Sequence, residues 1–258
     1  MEFMSKPINI LVTNDDGIYA CGILELAKAF KEIGNVYVVA PDTQRSATGH
    51  AITIHDPIMI KEENIEKGII AYSISGTPAD CVKVGIESIL KDIEIDLVLS
   101  GINNGPNLGT DVIYSGTVSA AIEGLIQNKP SIAISYDSYN ICKDDYKKAS
   151  EFIVKLVKKL ESNMSIFEDC ILNVNIPNRD IKGFKMTKLG IRQYENDIDE
   201  RLSPHGKRYV WIGGRVKILE QEEISDISAV EEGYISITPI NIDMTNMEKL
   251  KMLEELDL

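Results

Sequence analysis

Histidine is scarce in this chain: His50, His55 and His205 are the only three in 258 residues. That number nearly excludes a multi-histidine metal centre. Cysteine is also sparse. Cys21, Cys81, Cys142 and Cys170 never pair at a zinc-like C-x-x-C spacing, and their apolar or helical neighbours predict buried free thiols. Positive charge is in deficit, with 27 Lys and Arg against 40 Asp and Glu and a net charge of −13. No basic stripe is available to neutralise a phosphate backbone, so a nucleic-acid polymer is not an expected partner. One small phosphate is a different matter, because a metal ion or backbone amides hold it without Lys or Arg. No apolar run is long enough to span a bilayer, and the start MEFMSKPINI lacks the apolar stretch of a signal peptide. Cytoplasmic residence and no membrane partner are expected. Met4 is a second candidate start, which would make Met1–Phe3 an addition.

What is present is an alternation. Short runs rich in β-branched residues are INILVTN (8–14), NVYVVAP (35–41), AYSISG (71–76), IDLVLSG (95–101) and SIAISY (131–136). Helical patterns separate them: GILELAKAFKEIG (22–34), PADCVKVGIESILKD (78–92) and GTVSAAIEGLIQN (116–128). This predicts βαβ units and an α/β fold, a parallel sheet covered on both faces. Ligands of such sheets sit beyond the carboxyl ends of the strands. A further helix, DYKKASEFIVKLVKKLESN (145–163), carries Phe152, Ile153, Leu156, Val157 and Leu160 at helical spacing. CILNVNIP (170–177) reads as another strand.

From about residue 184 the texture changes to strands separated by polar stretches. The segment YENDIDERLSPHGKRYVWIGG (194–214) suits a hairpin arm leaving the globule, with Tyr209 and Trp211 read as core. The end, TNMEKLKMLEELDL (245–258), is helical, capped by Thr245 or Asn246, with Met247, Leu250, Leu253 and Leu256 on one face. The expected division is a core over 5–183 and an extension over 184–258 that does not fold by itself.

Four loops at strand ends collect the unusual residues. In NDDG, Asp15 and Asp16 stand side by side after an apolar strand. Two adjacent carboxylates repel, so they face water or hold something positive between them. As hard oxygen ligands they suit Mg²⁺, Mn²⁺ or Ca²⁺, and Gly17 allows the turn that brings both to one point. An acidic pair favoured by a helix dipole is the competing reading. In APDTQRSATGH (40–50), a hydroxyl such as Ser46 turns inward or the loop is plain surface. His50 and His55, which flank AIT, are read as surface or packing residues. In SISGTPADCV, Thr77, Pro78 and Asp80 form a helix start.

The loop LSGINNGPNLGTDVIYSGTVSAA (99–121) is the most informative. A connection of about 15 residues, rich in Gly and Asn, is well beyond the usual length and points to function. Asn103 and Asn104 offer neutral oxygens to a metal. The amides of Ser115, Gly116 and Thr117, at a helix start, would face an anion.

With these loops laid out, the chain resembles the SurE family, the stationary-phase survival proteins. The matching stretches are ILVTNDDGI, VVAPDTQRSATGHAIT, SGTPADCVKVG, DLVLSGINNGPNLGTDVIYSGTVSAAIEG, GKRYVWIGG and AVEEGYISITPINIDMT. The resemblance covers nearly the whole chain. It implies a Rossmann-like three-layer core and a C-terminal part that builds homodimers or homotetramers by exchanging arms. It implies a metal-dependent 5′(3′)-nucleotidase with one divalent ion per subunit, Mg²⁺ or Mn²⁺, acting on nucleoside monophosphates. Carried over residue by residue, the metal set is Asp15, Asp16, Ser46 and Asn103. The phosphate contacts are Asn103, Ser115, Gly116 and Thr117. Asp15 and Asp16 are then the catalytic residues, Asp16 being the better placed to orient or deprotonate a water. Competing readings are a phosphatase for other phosphomonoesters or short polyphosphate, and a non-enzymatic nucleotide- or metal-binding module. An NAD-dependent oxidoreductase is disfavoured, because NDDG stands where G-x-G-x-x-G would be required.

Overall fold

The computed structural model describes residues 7–195, 198–217 and 219–256. Met4, the expected core start at residue 5 and the last two residues of the expected terminal helix lie outside them. In chain order the elements are β1 (Ile8–Thr13), α1 (Cys21–Phe30), β2 (Gly34–Pro41), β3 (Ile60–Glu63), β4 (Ile70–Ile74), α2 (Pro78–Val84) and β5 (Leu97–Asn104). Then come α3 (Gly116–Ile126), β6 (Ser131–Asp137), α4 (Lys143–Leu160), β7 (Cys170–Pro177) and β8 (Gly183–Met186). The last third holds β9 (Gln193–Glu195), β10 (Ile198–Leu202), β11 (Arg208–Ile212), β12 (Arg215–Lys217), α5 (Asp226–Glu231), β13 (Tyr234–Asn241) and α6 (Met247–Glu254).

Nine strands form one sheet in the order β3-β4-β2-β1-β5-β6-β7-β13-β8. The run from β4 to β7 is parallel throughout. The expectation of a parallel sheet holds for this centre and not for the whole: β3 and β13 each run antiparallel to their inner neighbour. β3 was not foreseen, since IKEE is exposed and polar and carries no buried-strand pattern.

Both faces of the central strands are covered, and the side chains alternate accordingly. Ile10, Val12, Val38, Leu97, Leu99, Ile132, Ile134, Leu172 and Val174 join one cluster with α1 and α4. Leu11, Val39 and Val98 face the other way, with Cys81 and Val82 of α2 and Ala120 of α3. Ala133 and Ile171 pack there with Val118 and Ala121. Three layers result: α1 and α4, the sheet, then α2 and α3.

Several boundaries differ from the expectation. α1 ends at Phe30 and β2 already starts at Gly34. The predicted helix 78–92 is α-helical to Val84 and continues as a single wider turn over Gly85–Ile89. β5 runs to Asn104, and a 3₁₀ turn over Gly109–Ile113 fills part of the expected loop.

The aromatic residues Tyr209 and Trp211 are not core: β10 and β11 form a separate two-stranded ribbon whose residues are all exposed. No layer lies behind it, so a strand pattern there has no inside face. The thiol expectation holds for Cys81 and Cys170, whereas Cys21 and Cys142 are exposed. Those two stand at helix starts, Cys21 opening α1 and Cys142 capping α4 with its Sγ 3.0 Å from Asp145 Oδ2. α6 is capped by Asn246, which accepts from the Lys249 amide, and its apolar residues are exposed.

Candidate active site

β1 lies between β2 and β5, and the chain leaves it for β2 on one side and returns as β5 on the other. That is the point of a doubly wound sheet where a crevice opens beyond the strand ends. β4, β2, β1 and β5 are mutually parallel, so the four loops singled out in the sequence all emerge at this edge.

Asp15 and Asp16 follow β1 directly. Asn14 shapes the turn: its side-chain oxygen accepts from the Gly17 amide at 3.1 Å and its Nδ2 donates to the Gly17 carbonyl at 3.0 Å. Gly17 sits at φ +100°, a left-handed position that favours glycine. The two carboxylates are placed unequally. Asp15 is buried at 6% exposure, and the Thr117 hydroxyl donates to its Oδ1 at 2.6 Å. Asp16 is half-buried. Its Oδ2 accepts from the Asn104 amide at 3.0 Å and its Oδ1 from Gln44 Nε2 at 3.3 Å.

Burial pushes the Asp15 carboxyl up to about 6 and the neighbouring Asp16 charge adds to it, against the pull of Thr117. Burial raises Asp16 as well, opposed by Asn104 and Gln44. No cationic side chain is among the groups acting on either. Two adjacent carboxylates withdrawn from water with no positive partner make a donor set suited to a cation.

The remaining oxygens come from two other strands. Gln44 Nε2 donates to Ser46 Oγ at 3.0 Å as well as to Asp16, so one amide ties the second loop to the first. The Arg45 amide donates to the Asp15 carbonyl at 2.7 Å. On the other side, β5 carries a bulge: its pairing with β6 runs to Ser100↔Ala133 and resumes at Asn103↔Ser135. The extra residue re-aims the strand end. Asn103 Nδ2 donates to the Gly105 carbonyl at 2.8 Å, which orients its amide and leaves Oδ1 for another partner. Among the described residues no group of three or more His, Cys, Asp or Glu could hold a metal. A cation here therefore needs the two carboxylates plus neutral oxygens, the type Ser46 and Asn103 carry; an all-oxygen set of this kind fits Mg²⁺ or Mn²⁺.

α3 points its N-terminus at Asp15. A Cβ on Gly116 would come 2.8 Å from Asp15 Cβ, so only glycine lets the helix approach this closely. The three residues expected to meet a phosphate differ in what they have free. The Ser115 hydroxyl caps the helix by accepting from the Val118 amide at 3.0 Å, and its own amide points to the Val112 carbonyl at 3.4 Å. Thr117 is turned to Asp15. The Gly116 amide has no hydrogen-bond partner among the described residues.

His50 Nε2 lies 3.0 Å from Glu123 Oε2 on α3. Sequence reasoning missed Gln44, the hydroxyl role of Thr117 and a buried asparagine network. In that network Asn107 Nδ2 donates to Ser135 Oγ at 2.7 Å, and its amide donates to Asn175 Oδ1 at 2.8 Å. Asn173 and Asn175 both donate to the Asn107 carbonyl. A readable signal existed, since CILNVNIP places two asparagines two apart on one face of a wholly buried strand.

A mostly parallel α/β sheet with an acidic, oxygen-rich edge at its switch point, against a helix N-terminus, is a Rossmann-like architecture. Comparison with known proteins narrows this. The family model described as "Survival protein SurE" matches residues 10–196. A protein named 5′-nucleotidase SurE from Alkaliphilus metalliredigens (strain QYMF) is 52% identical over 257 residues, covering 97% of this chain and 99% of its own. One of the same name from Syntrophomonas wolfei subsp. wolfei is 48% identical, covering 93% and 90%. The crystal structure of SurE protein from Aquifex aeolicus superposes with a TM-score of 0.80 at 42% identity, over 96% of this chain and all of that one. The chain belongs to the SurE family.

Proposed function

We propose that this protein is a divalent-metal-dependent 5′-nucleotidase, hydrolysing nucleoside 5′-monophosphates, and 3′-monophosphates as well, to nucleoside and phosphate. The observation that carries the reading is the Asp15–Asp16 pair, one carboxylate buried and one half-buried, without a cationic partner, between a helix N-terminus and two polar loops. The relatives' name supports the same activity. Asp15, Asp16, Ser46 and Asn103 would hold one Mg²⁺ or Mn²⁺. Such an ion, when bound, polarises a phosphoryl oxygen and makes a water a stronger nucleophile.

The chain's own groups do the rest. Thr117 fixes Asp15 in one rotamer, which leaves Asp16, the less buried of the pair, to orient the attacking water and accept its proton. The α3 N-terminus, through Gly116 above all, meets the phosphate oxygens and stabilises the charge they gain. Asn103, on the opposite wall, contacts the same phosphate. No cysteine or histidine nucleophile takes part.

The protein is further proposed to work as a homodimer or homotetramer in the cytoplasm. Exposed apolar residues on the β10–β11 ribbon and on α6 support the assembly, and no described helix is long and apolar enough to cross a membrane. We also propose that residues 184–258 do not fold alone, since β8 and β13 complete the sheet of the 5–183 core.

The test is phosphate release from a panel of 5′- and 3′-nucleoside monophosphates, a non-nucleotide phosphomonoester and tripolyphosphate. Release from the 5′-nucleotides above the other substrates supports the reading. Equal or better release from the non-nucleotides moves the protein to a general phosphatase, and no release from any of them to a binding module.

A further inference from the structure

Glu123 is a charged residue that the proposed chemistry does not use, yet its side chain is only 3% exposed. It sits in the second half of α3, the helix whose first turn meets Asp15. Its partners are few: His50 Nε2 at 3.0 Å, Gln127 Nε2 at 3.1 Å and Lys83 Nζ at 3.9 Å. Burying a carboxylate is costly unless it is paired, so this contact has a structural consequence wherever His50 leads.

His50 lies on the distal limb of the loop that carries Ser46. The near limb is tied to the sheet edge: the Asp42 amide donates to the Ile74 carbonyl, the Arg45 amide to the Asp15 carbonyl and Arg45 NH2 to the Ser75 carbonyl. Between the limbs the chain turns sharply, with Ala47 at φ +55°. Beyond the turn the Gly49 amide donates to the Tyr114 carbonyl, the Thr77 hydroxyl to the Ala51 carbonyl and the Thr53 amide to Asp80. Among the described residues His50–Glu123 is the side-chain hydrogen bond from this limb to α3. Ser46 itself is exposed, and among the described residues its hydroxyl accepts only from Gln44 Nε2, so its position is inherited from the two limbs.

We propose that His50 and Glu123 are positioning residues for the cation site: their contact holds the far limb of the loop against α3 and so sets where Ser46 Oγ stands relative to Asp15 and Asp16. The inference rests on Ser46 being a ligand of the cation. It gives α3 two roles, an N-terminus for the anion and a buried anchor for the loop that completes the cation's oxygens.

The test is direct Mn²⁺ binding, read from the loss of the free-ion paramagnetic resonance signal, on full-length protein without substrate. His50→Ala is expected to weaken Mn²⁺ binding roughly tenfold, the lower end of what outer partners of metal ligands contribute. His50→Gln keeps an amide donor toward Glu123 and should recover most of the affinity. In a Ser46→Ala background the His50→Ala change should add little, because both act through one oxygen. The chelated His50→Ala protein should melt below the parent, because Glu123 loses its nearest partner, and binding is compared at a temperature where both are folded. Glu123→Gln should weaken binding less than Glu123→Ala; if the latter does not fold, the His50 series decides alone. Unchanged Mn²⁺ affinity in folded His50→Ala, or a full additive loss in the double variant, overturns the inference while leaving the nucleotidase reading intact. No Mn²⁺ binding by the parent protein would overturn both.

Discussion

At the residue scale the two aspartates differ more than their adjacency suggests. Asp15 is buried and held by Thr117, whereas Asp16 is half-buried and keeps access to solvent. Asp16→Asn is expected to lower metal-dependent phosphate release roughly 100-fold or more, on the scale of lost acid–base catalysis, with an unchanged circular dichroism spectrum. Asp15 has a signature in stability. Its carboxyl is raised from 3.8 to about 6 in the chelated fold, so folding favours the protonated form. The penalty is absent below about pH 4, grows through pH 6, and levels off near 3 kcal/mol at most. Chelated Asp15→Asn should therefore melt above the parent at pH 8 and lose that advantage at pH 4. Added Mn²⁺ should reverse the order at pH 8, since only the carboxylate gains the cation.

The acidic pair was legible in the sequence because two charges after a buried strand demand an explanation. Gln44 was not legible: it is an ordinary polar residue until the fold sets it between Asp16 and Ser46.

At the element scale the βαβ rhythm predicted the central strands and helices from periodicity alone. The strand GYISITPIN was legible as β13, but its antiparallel pairing with β7 was not, because that depends on a long-range return of the chain. The bulge in β5 escaped it too, although it lies just before Asn104, whose amide donates to Asp16. Behind the pocket the loop after β5 is moored by its buried asparagines. Asn175→Leu leaves the Asn107 amide without its 2.8 Å acceptor. It should cost about 1–3 kcal/mol in urea unfolding and raise the metal concentration needed for half-maximal activity. If only stability changes, the mooring does not reach the site.

At the scale of the whole molecule, the apolar content of the arms was visible and its placement was misread. Trp211 at 64% and Ile212 at 88% exposure lie on a ribbon with no layer behind it. Such surface is characteristic of contact with another chain. The double change Trp211→Lys with Ile212→Lys should lower the mass found by light scattering to a smaller species, with core secondary structure retained. An unchanged mass would remove the ribbon from the assembly.

If the Asp15–Asp16 pair holds the cation that makes phosphate hydrolysis possible, chelation must stop the reaction. Phosphate release from nucleoside 5′-monophosphates should be measured after EDTA treatment, and again after Mg²⁺ or Mn²⁺ is returned, for the parent and Asp16→Asn. No release is expected in EDTA, full recovery in the parent, and little recovery in the variant. Release that persists in EDTA, or a variant as active as the parent, would show that the pair has another role.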